Sequence, residues 1–230
     1  RVGGPWWRPS GRAPRWPGAF LHRALCDQSE YLSSLLDDPR IHDIAAGLLG
    51  VDFNYTCGDG NFYVGDTNWH SDDGYGRSKY LSIKMAMYLD PVGSDSGCLR
   101  VIPGSHFVGS AYGDALHKGA TMSKEQHQEG FWGIPGPNVP AFALESQPGD
   151  LVVFNHNLKH ASFGGGNRRR MFTLNFQQRH RDEDLPDLRE DIGNLARFWT
   201  ERAYGKIMIE TAGQSRMKHL EQRLMNDDHL

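Results

Sequence analysis

The sequence predicts a mainly β fold, a barrel or two-sheet jelly roll with α-helices flanking it at both ends. Two patterns carry that expectation. Short runs rich in β-branched and aromatic residues recur through the middle of the chain, each bounded by Gly, Pro, Asp or Ser: NFYVGD, KYLSIKMAMYLD, CLRVIPG, AFALES, GDLVVFN and RRMFTLNFQQ. Helical spacing of apolar residues is found outside them, before and after. Length adds a bound. A chain of 230 residues, 38% hydrophobic and 11% aromatic, builds one core. The expected organisation is a single domain over 1–230, with its core at about 50–180, N-terminal helices at about 29–49 and C-terminal helices at about 184–226.

Taken in order, residues 1–20 read as irregular chain packed through Trp6, Trp7, Trp16 and Phe20. SEYLSSLLDDPRIHDIAAGLLG then reads as two short amphipathic helices split at Pro39 and stopped by Gly50. The strand runs follow, interrupted by a segment from 104 to 140 with little regular pattern. A loop of that length in a compact domain is expected to be a binding loop or lid, here carrying the aromatic pair Phe131-Trp132. Beyond His180, DLPDLREDIGNLARFWTERAYG and SRMKHLEQRLMND return to helical spacing, on helices that pack outside the sheet or pair two copies of the chain.

Composition excludes several classes. Net charge is −3, and the basic residues at Arg8, Arg12, Arg15, Arg23 and 168–170 form no sustained stripe, so nucleic acid is not an expected partner. No apolar run approaches the roughly 18 residues of a membrane span. Three widely spaced cysteines, Cys26, Cys57 and Cys98, fit neither a disulfide framework nor a thiolate zinc site, and suggest reduced thiols in a cytoplasmic protein, a monomer or homodimer. The chain opens at Arg1 rather than Met, which leaves room for a preceding segment.

Chemistry concentrates in NWHSDDGYGRSKYL, residues 68–81. His70 and Asp72 are two apart, so at an extended strand end both side chains face the same way and reach one metal ion. The alternative is a polar turn, with Asp73 a solvated neighbour. A third ligand is available in GDLVVFNHNLKHASFGGGNRRRMFTLNF, where a strand opened by Gly149-Asp150 ends near His160. Two histidines and one carboxylate make the facial set of non-haem iron(II) and leave positions open, whereas a structural zinc wants a closed fourth ligand. An arginine on the next strand adds a bidentate partner for a dicarboxylate.

His-x-Asp, a distant His and an Arg about ten residues later resemble the 2-oxoglutarate dioxygenases. The resemblance extends to the phytanoyl-CoA dioxygenase branch. An acidic turn followed by Gly97-Cys98-Leu99 and Pro103-Gly104-Ser105-His106 is similar to one family signature, and Gly149-Asp150, His160-Ala161-Ser162 and the arginine run to the other. The match covers roughly 50–180. It implies a double-stranded β-helix (jelly roll, cupin-like), with iron(II) held by His70, Asp72 and His160. It also implies 2-oxoglutarate as cosubstrate with its far carboxylate on an arginine of the run, and oxygen as oxidant. The activity implied is hydroxylation of a small-molecule substrate at an unactivated carbon, with release of succinate and carbon dioxide, and Lys84, Arg100, Tyr88 and the Trp-containing loop suit a polar or anionic one.

Strand parity sorts the arginines. Arg169 shares a face with Met171, Thr173 and Asn175, and Arg170 shares one with Phe172, Leu174 and Phe176. The more polar face favours Arg169 as the anchor, with Arg170 the alternative and Arg168 solvated. By the same rule Lys84 points inward with Ser82, Ala86 and Tyr88, where its ammonium suits a carboxylate of cosubstrate or substrate. Asn61 and Ser162 are further hydrogen-bonding candidates for 2-oxoglutarate. His106 and His156 read as turn residues or supports of the ligands, FGGGN as a flexible hairpin loop, and Trp69 and Trp132 as core or pocket wall. Rival readings are a halogenase, disfavoured because Asp72 is present, a cupin-like metal isomerase or hydrolase, which needs no Arg169, and a metal-binding sensor without catalysis.

Overall fold

The computed structural model describes residues 20–22, 24–63, 65–72, 74–122, 132–165, 169–196 and 202–230. Its strands are β1 (Phe20–His22), β2 (Phe53–Cys57), β3 (Gly60–Tyr63), β4 (Thr67–His70), β5 (Ser82–Tyr88), β6 (Leu99–Val101), β7 (Phe142–Leu144), β8 (Leu151–Asn155), β9 (His160–Ser162) and β10 (Arg169–Gln178). Its helices are α1 (Glu30–Ser33), α2 (Pro39–Leu49), α3 (Ala111–Met122), α4 (Leu185–Ala196), α5 (Lys206–Glu210), α6 (Gln214–Lys218) and α7 (Glu221–Leu224). All strand pairings are antiparallel. One sheet runs β1-β3-β10-β5-β8, with β2 also on β10, and a smaller sheet runs β4-β9-β6-β7. This is the expected jelly roll with flanking helices.

β10 organises the larger sheet because it is long enough to pair with β3 and then β2 on one edge and β5 on the other. Its alternation separates two environments. Leu174 and Phe176, with Ile83 and Met85 of β5 and Phe53 and Tyr55 of β2, face outward into the main core. Helices cover that side. Ile41, Ala45 and Leu49 recur every four residues on α2 and bury there, beside Leu36, Tyr204, Met208 and Leu220. α2 starts where the sequence says it should: Asp38 caps it by accepting from Arg40 N–H, Pro39 takes the first turn, and Gly50 at φ 94 ends it.

Two expectations need correction. The segment 104–140 is not all loop, since α3 occupies 111–122. Ser110 caps it, its hydroxyl accepting from Gly113 N–H at 3.0 Å. Gly113 and Gly119 inside the helix, both poor helix formers, hid it from a propensity reading. The strand opened by Gly149-Asp150 does not reach His160 either. β8 ends at Asn155, whose side-chain oxygen accepts from Asn157 N–H at 2.8 Å, and this turn carries the chain into the other sheet, where His160 opens β9. The proposed packing of Trp6, Trp7 and Trp16, and the roles of Asp73, Phe131 and Arg168, fall outside the described residues. No helix among the described residues is long and apolar enough to cross a membrane.

Candidate metal centre

β4 and β9 are neighbours, and their register sets His70 directly opposite His160, after an irregularity between Thr67 and His70 that re-aims the strand end. Asp72 follows on the turn, pinned by its own N–H to the carbonyl of His156 at 3.0 Å. Ser71 assists, its hydroxyl donating to Asn157 O at 2.8 Å. The ligating atoms of His70, Asp72 and His160 all lie within 4.8 Å of one another.

Backbone contacts fix the tautomers. A carbonyl only accepts, so Nδ1 of His70 donates to Asn68 O at 2.8 Å and Nδ1 of His160 donates to Leu158 O at 2.9 Å. In the neutral ring this contact leaves Nε2 with the lone pair, and both Nε2 atoms lie 3.7 Å from Asp72 Oδ1. Burial would raise the Asp72 pKa, but Lys84 and the nearby imidazoles outweigh it and hold the carboxyl well below its usual range. Burial, then His70 beside it, pushes His160 down to about 3. The set is therefore one carboxylate and unprotonated imidazole, and Asp72 Oδ2 is buried with no hydrogen-bond partner. A carboxylate with one oxygen orphaned, set beside two imidazole nitrogens, fits a divalent cation.

Lys84 points inward as parity requires. Its ammonium sits 2.8 Å from Asp72 Oδ1, a partner the sequence did not reveal. Arg169 is buried on the same inner face of β10 and donates through Nη1 to Ser162 Oγ and Gly97 O. Arg170 faces out and forms a two-pronged pair with Asp90 at 3.0 and 2.7 Å. Asn61 is paired with Met171, buried, and its Oδ1 has no partner. The family-like motif GCL supplies the floor under the arginine: Gly97 has φ +89, and a Cβ there would lie 2.5 Å from Arg169 Nη1. PGSH supplies Ser105, whose hydroxyl accepts from Lys159 N–H beside His160.

Other candidates settle elsewhere. Trp69 is core, with Nε1 donating to Gly136 O at 2.9 Å amid Ile102, Val139, Ala161 and Phe163. Trp132 packs against that cluster and donates to Leu116 O on α3. His106 rests on Phe107, and His156 supports Asp72 without joining the ligand set. Of FGGGN, Gly164, at φ +73, packs against the 93–98 turn, where a Cβ would come within 2.6 Å of Asp95 O, and Gly166 and Asn167 lie outside the described residues.

The sequence profile of the phytanoyl-CoA dioxygenase family matches residues 21–171. The chain belongs to that family. Its fold is shared with EvdMO1 (TM-score 0.54, 20% identity, covering 78% of this chain and 40% of that one). It is shared with HygX of Streptomyces hygroscopicus, solved with nickel and 2-oxoglutarate bound (TM-score 0.54, 14% identity, 73% of this chain and 72% of that one). SnoN, a non-haem α-ketoglutarate-dependent epimerase of nogalamycin biosynthesis, is also similar (TM-score 0.53, 15% identity, 70% of this chain and 63% of that one). The chain thus spans less than two thirds of EvdMO1 and of SnoN. No curated protein sequence matches it. The family is the iron(II)- and 2-oxoglutarate-dependent branch that the motifs resemble.

Proposed function

We propose that this chain is an iron(II)- and 2-oxoglutarate-dependent oxygenase that hydroxylates an unactivated carbon of a small-molecule substrate, releasing succinate and carbon dioxide. One observation carries the reading: ligand atoms of two imidazoles and of the Asp72 carboxylate lie within 4.8 Å of one another, with a buried arginine on the adjoining inner face. His70, Asp72 and His160 would hold the iron, which with 2-oxoglutarate supplies oxygen activation when bound.

The chain's own residues do the rest. Asn68 and Leu158 carbonyls hold the two imidazoles in the ligating tautomer. Ser162 and Gly97 hold the Arg169 guanidinium rigid, so that it meets the far carboxylate of the cosubstrate without reorganisation. Phe154, Val101, Leu99 and Ala86 line the inner core next to His160 and keep water from that side. Asn61 supports 2-oxoglutarate from β3. A cupin-like isomerase or hydrolase has no use for the buried Arg169, and a sensor none for a substrate. The similarity to SnoN makes epimerisation the second oxidative outcome to examine, since it uses the same cosubstrate.

The test is stoichiometric. Purified protein given iron(II), ascorbate and 2-oxoglutarate should release succinate in step with oxygen uptake, and His70→Ala or His160→Ala should abolish both. Metal and 2-oxoglutarate binding with no succinate under any substrate screen would sink the enzymatic reading. A product with inverted stereochemistry and no added oxygen would replace hydroxylation by epimerisation.

A further inference from the structure

The metal ligands are not equally enclosed. His160 has 5% of its side chain exposed, against 39% for His70, 15% for Asp72 and 19% for Lys84. The centre therefore opens on the His70 side, with Lys84 and Asp72 partly exposed. Register places Arg169 on the other side. Lys84 is opposite Asn175 across the β5–β10 ladder, while Arg169 lies at the far end of β10, beyond the Met171–Tyr88 pair. The six residue steps from Arg169 to Asn175 span about 20 Å of strand. A 2-oxoglutarate reaching from the metal toward Arg169 extends away from Lys84 and leaves that ammonium facing the open side.

The charges near Lys84 do not cancel once the centre is loaded. A divalent ion, Lys84 and Arg169 bring four positive charges, and Asp72 and 2-oxoglutarate bring three negative. Asp59 acts electrostatically on Lys84 and on Cys57, and Arg223 acts on Cys57. Lys84 is half-buried, its one ion-pair partner among the described residues is Asp72, and Asp72 is also the carboxylate the metal needs. An ammonium in that position wants a new anion. Asn175, its cross-strand neighbour, has its Nδ2 committed to Cys57 O at 3.1 Å and its Oδ1 without a partner.

We infer that Lys84 changes partners: it neutralises Asp72 before the metal is bound and holds the carboxylate of the substrate afterwards, so the substrates of this enzyme are small carboxylates. One ammonium suits a monoanion, and Asn175 Oδ1 is left to accept from a donor elsewhere on the same molecule. A phosphate would call for a guanidinium fork or a cradle of backbone N–H groups, and neither stands beside Lys84 among the described residues. The inference rests on the proposed function and narrows it to a substrate class.

The experiment uses cobalt(II) in place of iron, so that nothing turns over. Cobalt uptake is read by visible absorption and 2-oxoglutarate binding by calorimetry, for the full chain and for Lys84→Met and Lys84→Arg. Butyrate is then titrated with 2-oxoglutarate saturating, and its proton resonances are followed for broadening by the cobalt. Butyrate should broaden, butyramide should not, Lys84→Met should weaken butyrate about tenfold or more, and Lys84→Arg should keep it within about threefold. Equal binding of butyrate and butyramide, no butyrate binding, or an affinity indifferent to Lys84→Met overturns the inference. Methylphosphonate binding about tenfold tighter than butyrate overturns the choice of carboxylate. If cobalt and 2-oxoglutarate fail to bind at all, the proposed function itself falls and takes this inference with it.

Discussion

The two faces of the larger sheet are built from the same strands and obey opposite rules. Outward, β5 and β10 present Ile83, Met85, Leu174 and Phe176 to helices that close over them, and burial of apolar surface holds the molecule together. Inward, the same strands present Ser82, Lys84, Arg169, Thr173, Asn175 and Gln177, all sheltered from solvent to some degree. A buried polar group without a partner costs free energy. Asn61 Oδ1, Asp72 Oδ2 and Asn175 Oδ1 have none and gather on the inner face or against it, whereas on the helical side Asp27 keeps one oxygen paired with Gly205 N–H and one without a partner. The outer face explains why the chain folds. The inner face makes sense only for what it binds.

The largest expected effects fall on either side of that division. Phe176→Ala should cost about 3–5 kcal/mol of folding stability through the cavity left among Phe53, Tyr55 and their neighbours. His160→Ala should eliminate metal uptake and turnover while leaving the denaturation midpoint of the metal-stripped protein near that of the parent. Urea titrations of both variants, with metal content measured alongside, decide it. If His160→Ala destabilises the metal-stripped protein as much as Phe176→Ala, the inner face is also structural and the contrast fails.

The next effect tests parity within one strand. Arg169→Ala removes a buried guanidinium held by Ser162 and Gly97 and should weaken 2-oxoglutarate binding by about 2–5 kcal/mol. Arg170→Ala removes an exposed pair with Asp90, which adds little to stability, and should leave 2-oxoglutarate affinity unchanged. Calorimetric titration of the two variants gives the answer, and a larger loss from Arg170→Ala would reverse the assignment of the faces.

That parity was legible in the sequence because β10 alternates over its whole length, and so were the helix break at Pro39 and the ligand pair at His70 and Asp72. These features are local: a two-residue period, a proline, a spacing of two. What was not legible is relational. The ion pair of Lys84 with Asp72 depends on a turn that Asn157 anchors from the connection between β8 and β9. The fixing of Arg169 depends on Gly97, 72 residues away. α3 escaped notice because its glycines are poor helix formers, while Tyr75 ties its first turn down from outside by donating to Asp114 at 2.9 Å. Arg223, buried on a four-residue helix of the tail, gave no sequence signal either.

The smallest expected effect compares the two sides by the sign of their pH dependence. Asp27 lies against the helical core, where burial raises its pKa to about 7 despite the N–H that Gly205 donates to it at 2.7 Å. Between its unfolded value of about 3.8 and about 7 the folded state holds a proton that the unfolded state has lost, so its contribution to stability falls as pH rises. His180, stacked on Tyr80 beside the polar layer of Asn54 and Gln222, behaves in the opposite way. Burial, then Arg223, lowers its pKa to about 4, so between about 4 and 6.5 the unfolded state holds the extra proton and stability is lost as pH falls. Asp27→Asn should therefore gain on the parent as pH is raised from 4 to 7, and His180→Asn should gain on it as pH is lowered from 6.5 to 4. Urea midpoints of parent and variants at several pH values give both slopes. Difference curves that stay flat, or that share a sign, would show that these two groups are solvated in the working protein and that the contrast in burial stops short of them.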